Sequence, residues 1–131
     1  MPVTSSRQMV EQALACVTSH SAAQALALHG RAEVLFVDIR EPSELQREGQ
    51  VPGAFHAPRG VLEFWVDPAS AWHKAALAQP GVQLLLYCAV GWRSALAAQA
   101  LQQMGVENIS HLGGGLAAWK AIGGPVENPR A

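Results

Sequence analysis

An apolar run, Leu84-Leu85-Leu86-Tyr87, ends at Cys88 and gives way to the short loop Ala89-Val90-Gly91-Trp92-Arg93. An alanine-rich stretch of good helix formers, Ser94 to Met104, follows directly. This order predicts strand, tight loop, helix. It constrains the fold because strands that alternate with helices build βαβ units, hence a mainly parallel sheet with helices on its faces. It also sets a thiol at the strand's carboxyl end, with the helix's first amides just beyond. Unpaired N–H groups and the positive end of a helix dipole favour an anion there. A thiol so placed is expected to ionise more readily than a free cysteine, and the thiolate is the nucleophile.

The rest of the chain repeats the alternation. Ser5 to Ala15 reads as a helix with Met9, Val10, Ala13 and Leu14 as its apolar face, and Val17-Thr18 as a brief strand. Ser19 or Ser21 caps a second helix that runs to about Leu28 and ends at His29-Gly30. Val34 to Ile39 is a β-rich run without clean alternation, as in a strand buried on both faces. Pro42 opens a short helix, Ser43 to Glu48, and Gly49 stops it. Ala54 to His56 forms a short strand, while Val61 to Trp65 and His73 to Ala78 form small helices. After the central strand, Leu84–Cys88, and its helix come a strand over Asn108–Leu112, a Gly113-Gly114-Gly115 turn and a last helix, Leu116 to Ile122. In parallel sheets ligands sit outside the carboxyl ends of the strands. Cys88 lies at such an end.

Length and charge bound the function. A chain of 131 residues makes one domain with a real core. Its net charge is −1, with nine basic against ten acidic residues and no Lys/Arg cluster, which gives no support to nucleic-acid or anionic-membrane binding. The polar amino terminus and the lack of a long apolar run predict neither a signal peptide nor a membrane span, so a cytoplasmic location is expected. Two cysteines, Cys16 and Cys88, are too few and too far apart for a disulfide scaffold. Cys16, on an amphipathic helix, is expected to pack in the core. The five histidines are scattered without zinc-motif spacing, so no metal site is expected. His56 and His111 are read as satisfied interior groups, and Trp65, Trp72 and Trp119 as packing residues.

Four residues separate Cys88 from Arg93. Ala89, Val90 and Gly91 are small enough to let successive amides turn inward around a sulfur atom, and Gly91 permits the positive φ that such a nest requires. Gly113–Gly115 lacks the Gly-Lys-Ser/Thr ending of a phosphate loop and reads as a backbone turn.

In four segments the chain resembles the rhodanese family of sulfurtransferases, from about Ser19 to Glu127. Val37-Asp38-Ile39-Arg40-Glu41-Pro42-Ser43-Glu44-Leu45 is similar to the family's Asp-x-Arg-Glu-Pro helix entry. Gly49 to Gly60, with Val51-Pro52-Gly53-Ala54, is similar to its Gly-His-Ile-Pro-Gly-Ala segment. Cys88-Ala89-Val90-Gly91-Trp92-Arg93-Ser94 matches the single-domain form Cys-x-x-Gly-x-Arg-Ser. Leu112-Gly113-Gly114-Gly115-Leu116-Ala117-Ala118-Trp119 is close to Leu-x-Gly-Gly-x-x-x-Trp. The order of the four segments, more than any one of them, carries the resemblance.

The resemblance implies an α/β, rhodanese-like fold, its mainly parallel central sheet flanked by helices on both faces. Residues 1–18 would be a helical extension packed on the domain, and residues 19–131 the domain itself. It implies Cys88 as sulfur carrier, with Ala89, Val90, Gly91, Trp92 and Arg93 as the substrate-binding loop and no cofactor. A small-molecule donor such as thiosulfate would load Cys88 as a persulfide, and cyanide or a thiol would unload it. Asp38, Glu44 and Arg59 are read as supporting residues. Either Glu44 or Asp38 is expected to pair with Arg93, which serves as clamp, anion contact or both. Arg59 either reaches the pocket or lies solvated on the surface. Two departures stand out: position 89 is Ala where many thiosulfate-using relatives carry a basic residue, and position 92 is Trp, expected at the pocket's rim. Thiosulfate would then be a poor donor. Two other readings stay open, a non-catalytic binding or regulatory module and a cysteine phosphatase or arsenate reductase. Phosphate-cleaving enzymes of similar appearance use one residue more between Cys and Arg. The amino-terminal helix could pack on its own domain or on a second copy, which leaves the oligomeric state open.

Overall fold

The computed structural model describes residues 2–129. Five parallel strands form one sheet: β1 (Ser19–His20), β2 (Val34–Asp38), β3 (Phe55–His56), β4 (Gln83–Tyr87) and β5 (Ile109–Leu112), in the spatial order β1-β5-β4-β2-β3. Six α-helices join them: α1 (Ser6–Cys16), α2 (Ala22–Leu28), α3 (Pro42–Glu48), α4 (Leu62–Val66), α5 (Trp92–Gln103) and α6 (Gly115–Ala121). Single 3₁₀ turns cover Arg59–Val61 and Ala75–Ala78. No helix among the described residues is long and apolar enough to cross a membrane.

β4 sits at the centre and divides the core by its period of two. Leu84 and Leu86 point to one face, with Val37, Ala97, Ala98, Leu101 and Cys88. Leu85 and Tyr87 point to the other, with Phe36, Leu112, Leu116 and Trp119. Helices α1 and α4 pack against α5 on the first face, and α2 pairs with α6 on the second. The absence of polar alternation in β2 and β4 is explained by this burial on both sides.

Several boundaries differ from the sequence expectation. The edge strand is Ser19–His20 rather than Val17-Thr18, since β1 is defined by its pairing with His111 and Leu112 of β5 and by nothing in its own pattern. Ser21, not Ser19, caps α2, in a reciprocal box with Gln24. Helix α5 starts at Trp92, so Trp92 and Arg93 belong to its first turn rather than to the loop. Cys16 is exposed, because α1 turns only Val10 and Ala13 fully inward, while Met9 and Leu14 remain about half exposed. Trp72 is also no packing residue, at 66% exposure. The expected helix over His73–Ala78 reduces to the Ala75–Ala78 turn.

Candidate active site

The site begins where β4 ends. Cys88 leaves the sheet one residue beyond Tyr87, its side chain wholly buried on the α5 face. Gly91 turns the chain into α5 with φ +97°, a conformation that strains any residue with a Cβ. The turn aims helix-start amides at the sulfur: Gly91 N–H donates to Cys88 Sγ at 3.2 Å and Ser94 N–H at 3.4 Å. Ser94 Oγ adds a third polar neighbour at 3.6 Å. The thiol is shut away from solvent, yet its surroundings on the helix side are donors. Negative charge on Sγ would meet two N–H dipoles and the amino end of a three-turn helix.

The Gly113–Gly115 turn holds the loop from behind. Leu116 N–H donates to Cys88 O at 2.9 Å and Ala117 N–H to Ala89 O at 3.1 Å. A Cβ at Gly115, where φ is +61°, would lie 2.6 Å from the carbonyl groups of Cys88 and Ala89. Close approach of two backbones therefore explains Gly115.

Arg93 is committed to a carboxylate. Its two terminal nitrogens donate to the two oxygens of Glu44, each at 2.9 Å. Glu44 also accepts the Glu41 N–H at 2.8 Å, closing the cap of α3. The Arg93 hydrogen bonds hold the Glu44 carboxyl down to about 2, and Glu44 in turn raises Arg93. Of the two expected partners for Arg93, Glu44 is the one observed. Asp38 instead binds Arg40, through Oδ2 to Nη2 at 2.6 Å and Oδ1 to both Nε and the backbone N–H at 3.0 Å. That pair has side-chain exposures of 1% each, and Arg40 also donates to Gly49 O. Asp38 thus supports the strand end and makes no bond to the loop's cation. Arg59 pairs with Glu63 four residues on, at 2.6 Å, an ion pair within its own helical segment.

A cleft of about 330 Å³ borders the loop. Ala89 and Val90 form one wall, Glu44 and Arg47 of α3 another, and Leu116 and Lys120 of α6 a third. Trp92, 65% exposed, stands apart from that lining. Its neighbour Val90 is half exposed. Among the described residues no group of three or more His, Cys, Asp or Glu side chains could hold a metal ion.

Two site residues carried no assigned role in the sequence reading. Ser94 was visible as the last position of the Cys-x-x-Gly-x-Arg-Ser match. His111, read as a satisfied interior group, is satisfied, but one of its partners is Ser94: Ser94 Oγ lies 3.0 Å from Nδ1 and Ser19 Oγ 2.8 Å from Nε2.

The chain is similar to known proteins over most of its length. The model of the rhodanese-like domain matches residues 21–122. A sulfurtransferase of Allochromatium vinosum is 30% identical over 113 residues, which is 86% of this chain and 94% of that protein. An uncharacterized Synechocystis protein is 38% identical over 93 residues; the match takes in 70% of this chain but only 46% of that longer protein. Among solved structures, a Rhodopseudomonas palustris protein of unknown function, named a possible tyrosine phosphatase, superposes with a TM-score of 0.91 at 42% identity, covering 97% of this chain and 99% of that one. A rhodanese-related protein of Thermoplasma volcanium follows the same fold with a TM-score of 0.69 at 28% identity, over 86% of this chain and 99% of that one. With its sheet, its loop and its sulfurtransferase relative in view, the chain belongs to the rhodanese-like domain family.

Proposed function

We propose that the protein is a sulfurtransferase that carries a sulfane sulfur on Cys88. The observation that supports this most is the pair of amide donors, Gly91 N–H and Ser94 N–H, directed at Sγ from the start of α5. The Cys88 thiolate attacks the outer sulfur of a donor such as thiosulfate. A new S–S bond forms, the donor's S–S bond breaks, and sulfite leaves with the bonding electrons. The Cys88 persulfide remains. A thiol or cyanide then attacks its terminal sulfur and returns the thiolate, so two half-reactions alternate on one residue. The loop amides stabilise the anionic sulfur in both states, as oxyanion-hole donors do for oxygen. Asp38, Glu44 and Arg59 act through shape: Glu44 anchors Arg93, Asp38 the end of β2, and Arg59 the segment after β3. The cleft between α3, α6 and the loop is the route for the donor, with Arg47 and Lys120 as cations on its walls.

A second reading, cleavage of a phosphate ester, has one observation in its favour, the naming of the Rhodopseudomonas palustris protein as a possible tyrosine phosphatase. Two features weigh against it. Only four residues separate Cys88 from Arg93, a narrow ring for a phosphoryl group, and the guanidinium that would bind phosphate is taken by Glu44. Intact-mass analysis after thiosulfate treatment tests the reading, with Cys88→Ser and Cys16→Ser beside wild type. Sulfur transfer requires a gain of about 32 Da that survives Cys16→Ser and vanishes in Cys88→Ser. Turnover of an aryl phosphate with no such gain would establish the phosphatase. Neither activity would leave a binding module.

A further inference from the structure

A run of polar side chains leads away from the sulfur, starting at Ser94. Cys88 Sγ lies 3.6 Å from Ser94 Oγ, Ser94 Oγ 3.0 Å from His111 Nδ1, and His111 Nε2 2.8 Å from Ser19 Oγ. Cys88, Ser94 and His111 are wholly buried, whereas Ser19 on the edge strand β1 is exposed. An unbroken sequence of hydrogen-bonding groups therefore connects an enclosed thiol to water. A wholly buried histidine is costly unless both ring nitrogens are used. Here each nitrogen has one hydroxyl partner, and one of those hydroxyls reaches the sulfur.

We propose that Ser19, His111 and Ser94 form a proton wire to Cys88, with His111 as the positioning residue that sets which way the Ser94 hydroxyl points. The proposal rests on reading Cys88 as a thiolate nucleophile. With Cys88 as thiol, S–H donates to Ser94 Oγ, Ser94 O–H to Nδ1, Nε2–H to Ser19 Oγ, and Ser19 O–H to water. On ionisation each proton moves one bond along. Ser94 takes the proton of Cys88, Nδ1 that of Ser94, Ser19 that of Nε2, and the original Ser19 proton passes to water. One S–H bond breaks, one proton enters solvent, and the imidazole stays neutral but changes tautomer. Every hydrogen bond has reversed, so the Ser94 hydroxyl now donates to the thiolate.

A neutral ring suits this role. Burial, and secondarily His20 on β1, push His111 down to about 4, so it carries no charge near neutrality. The titratable and charged groups facing the wire are His20, Cys88 itself, and Arg93, which feels the charge of Cys88.

Nitrogen-15 NMR of the imidazoles, on a Cys16→Ser background, reads the tautomer directly. The protonated nitrogen of His111 should switch from Nε2 to Nδ1 as Cys88 ionises, and should not switch in Cys88→Ala. His20→Gln identifies the neighbouring signal. One tautomer on both sides of the Cys88 titration overturns the wire. The pH profile of iodoacetamide alkylation gives a second readout. Ser94→Ala, which removes the hydroxyl that donates to the thiolate, should move the midpoint upward and slow alkylation at pH 7 about tenfold, the loss of roughly one charge-assisted hydrogen bond. Ser94→Thr, which keeps a hydroxyl there, should recover most of that loss. A Ser94→Ala variant with native melting and an unmoved midpoint also overturns the wire. If Ser94→Ala fails to fold, the tautomer of His111 in the unsubstituted protein still decides. A tautomer switch without any sulfur gain by mass would support the wire while removing the sulfur-transfer reading.

Discussion

Glu44 and Arg93, 49 residues apart in sequence, meet as a two-pronged ion pair that ties the start of α3 to the start of α5. Arg93 is the one cation between Cys88 and Ser94, and its charge is matched by a carboxylate rather than left for a ligand. Glu44→Gln should therefore act in two directions. Loss of the half-exposed pair should lower stability by about 1 kcal/mol, the scale of a well-formed but solvent-screened bridge. Release of the guanidinium should lower the KM for thiosulfate severalfold. A KM that stays put while the melting temperature falls would show that Arg93 is a clamp alone.

Trp92 lies outside the cleft lining, at the amino end of α5, where a guanidinium would add long-range positive charge beside the loop. In Trp92→Arg the KM for thiosulfate should drop by roughly threefold or more at low ionic strength, with the gain fading as salt is added. An already low wild-type KM, unmoved by the substitution, would dispose of the idea that this loop is short of charge.

His111 makes stability depend on acidity. Its folded-state value near 4 lies below the ordinary 6.5. Between those values the unfolded chain binds a proton that the native ring refuses, so stability falls as pH falls through this window. Urea denaturation at pH 7 and at pH 4.5 should differ by about 2 to 3 kcal/mol from this group, following the linkage of protonation to folding. His111→Asn should flatten the difference. Glu44 works in a separate window, since a carboxyl held near 2 keeps its stabilising charge above its ordinary 4.5 and loses it only below.

Gly115→Ala should be far more damaging than its chemistry suggests. The added Cβ meets the Cys88 and Ala89 carbonyl groups at 2.6 Å, in a backbone conformation already hostile to it. A loss of about 2 to 4 kcal/mol is expected from strain and overpacking together. Sulfur loading of Cys88 should fall with it in any fraction that folds. Wild-type stability in this variant would mean that the two turns can separate freely.

Much of this was legible in the chain before any coordinates. The β4–loop–α5 sequence identified the parallel α/β class and set Cys88 at a strand end, because long apolar runs and alanine-rich helices are local signals. What failed was non-local. Ser19–His20 is a strand only because β5 offers it partners. Cys16 looks inward on a helical wheel, but α1 buries a narrower stripe against α5 than its pattern offers. Arg40, named in the sequence only as part of a motif, lies wholly buried, since Asp38 and Gly49 O satisfy it there. The Glu44–Arg93 pairing was half legible: the sequence offered two acids, and only the packing of α3 beside α5 chose between them. His111 was recognised as interior, but its connection to Cys88 through Ser94 depends on β5 and α5 lying side by side, which no spacing reveals.

The bonds from Leu116 and Ala117 to the carbonyls of Cys88 and Ala89 run from main chain to main chain. They ask nothing of the side chains at positions 89 and 90. Evolution, or an engineer, can therefore rewrite those two residues to suit a different sulfur compound while the contour of the turn survives unchanged.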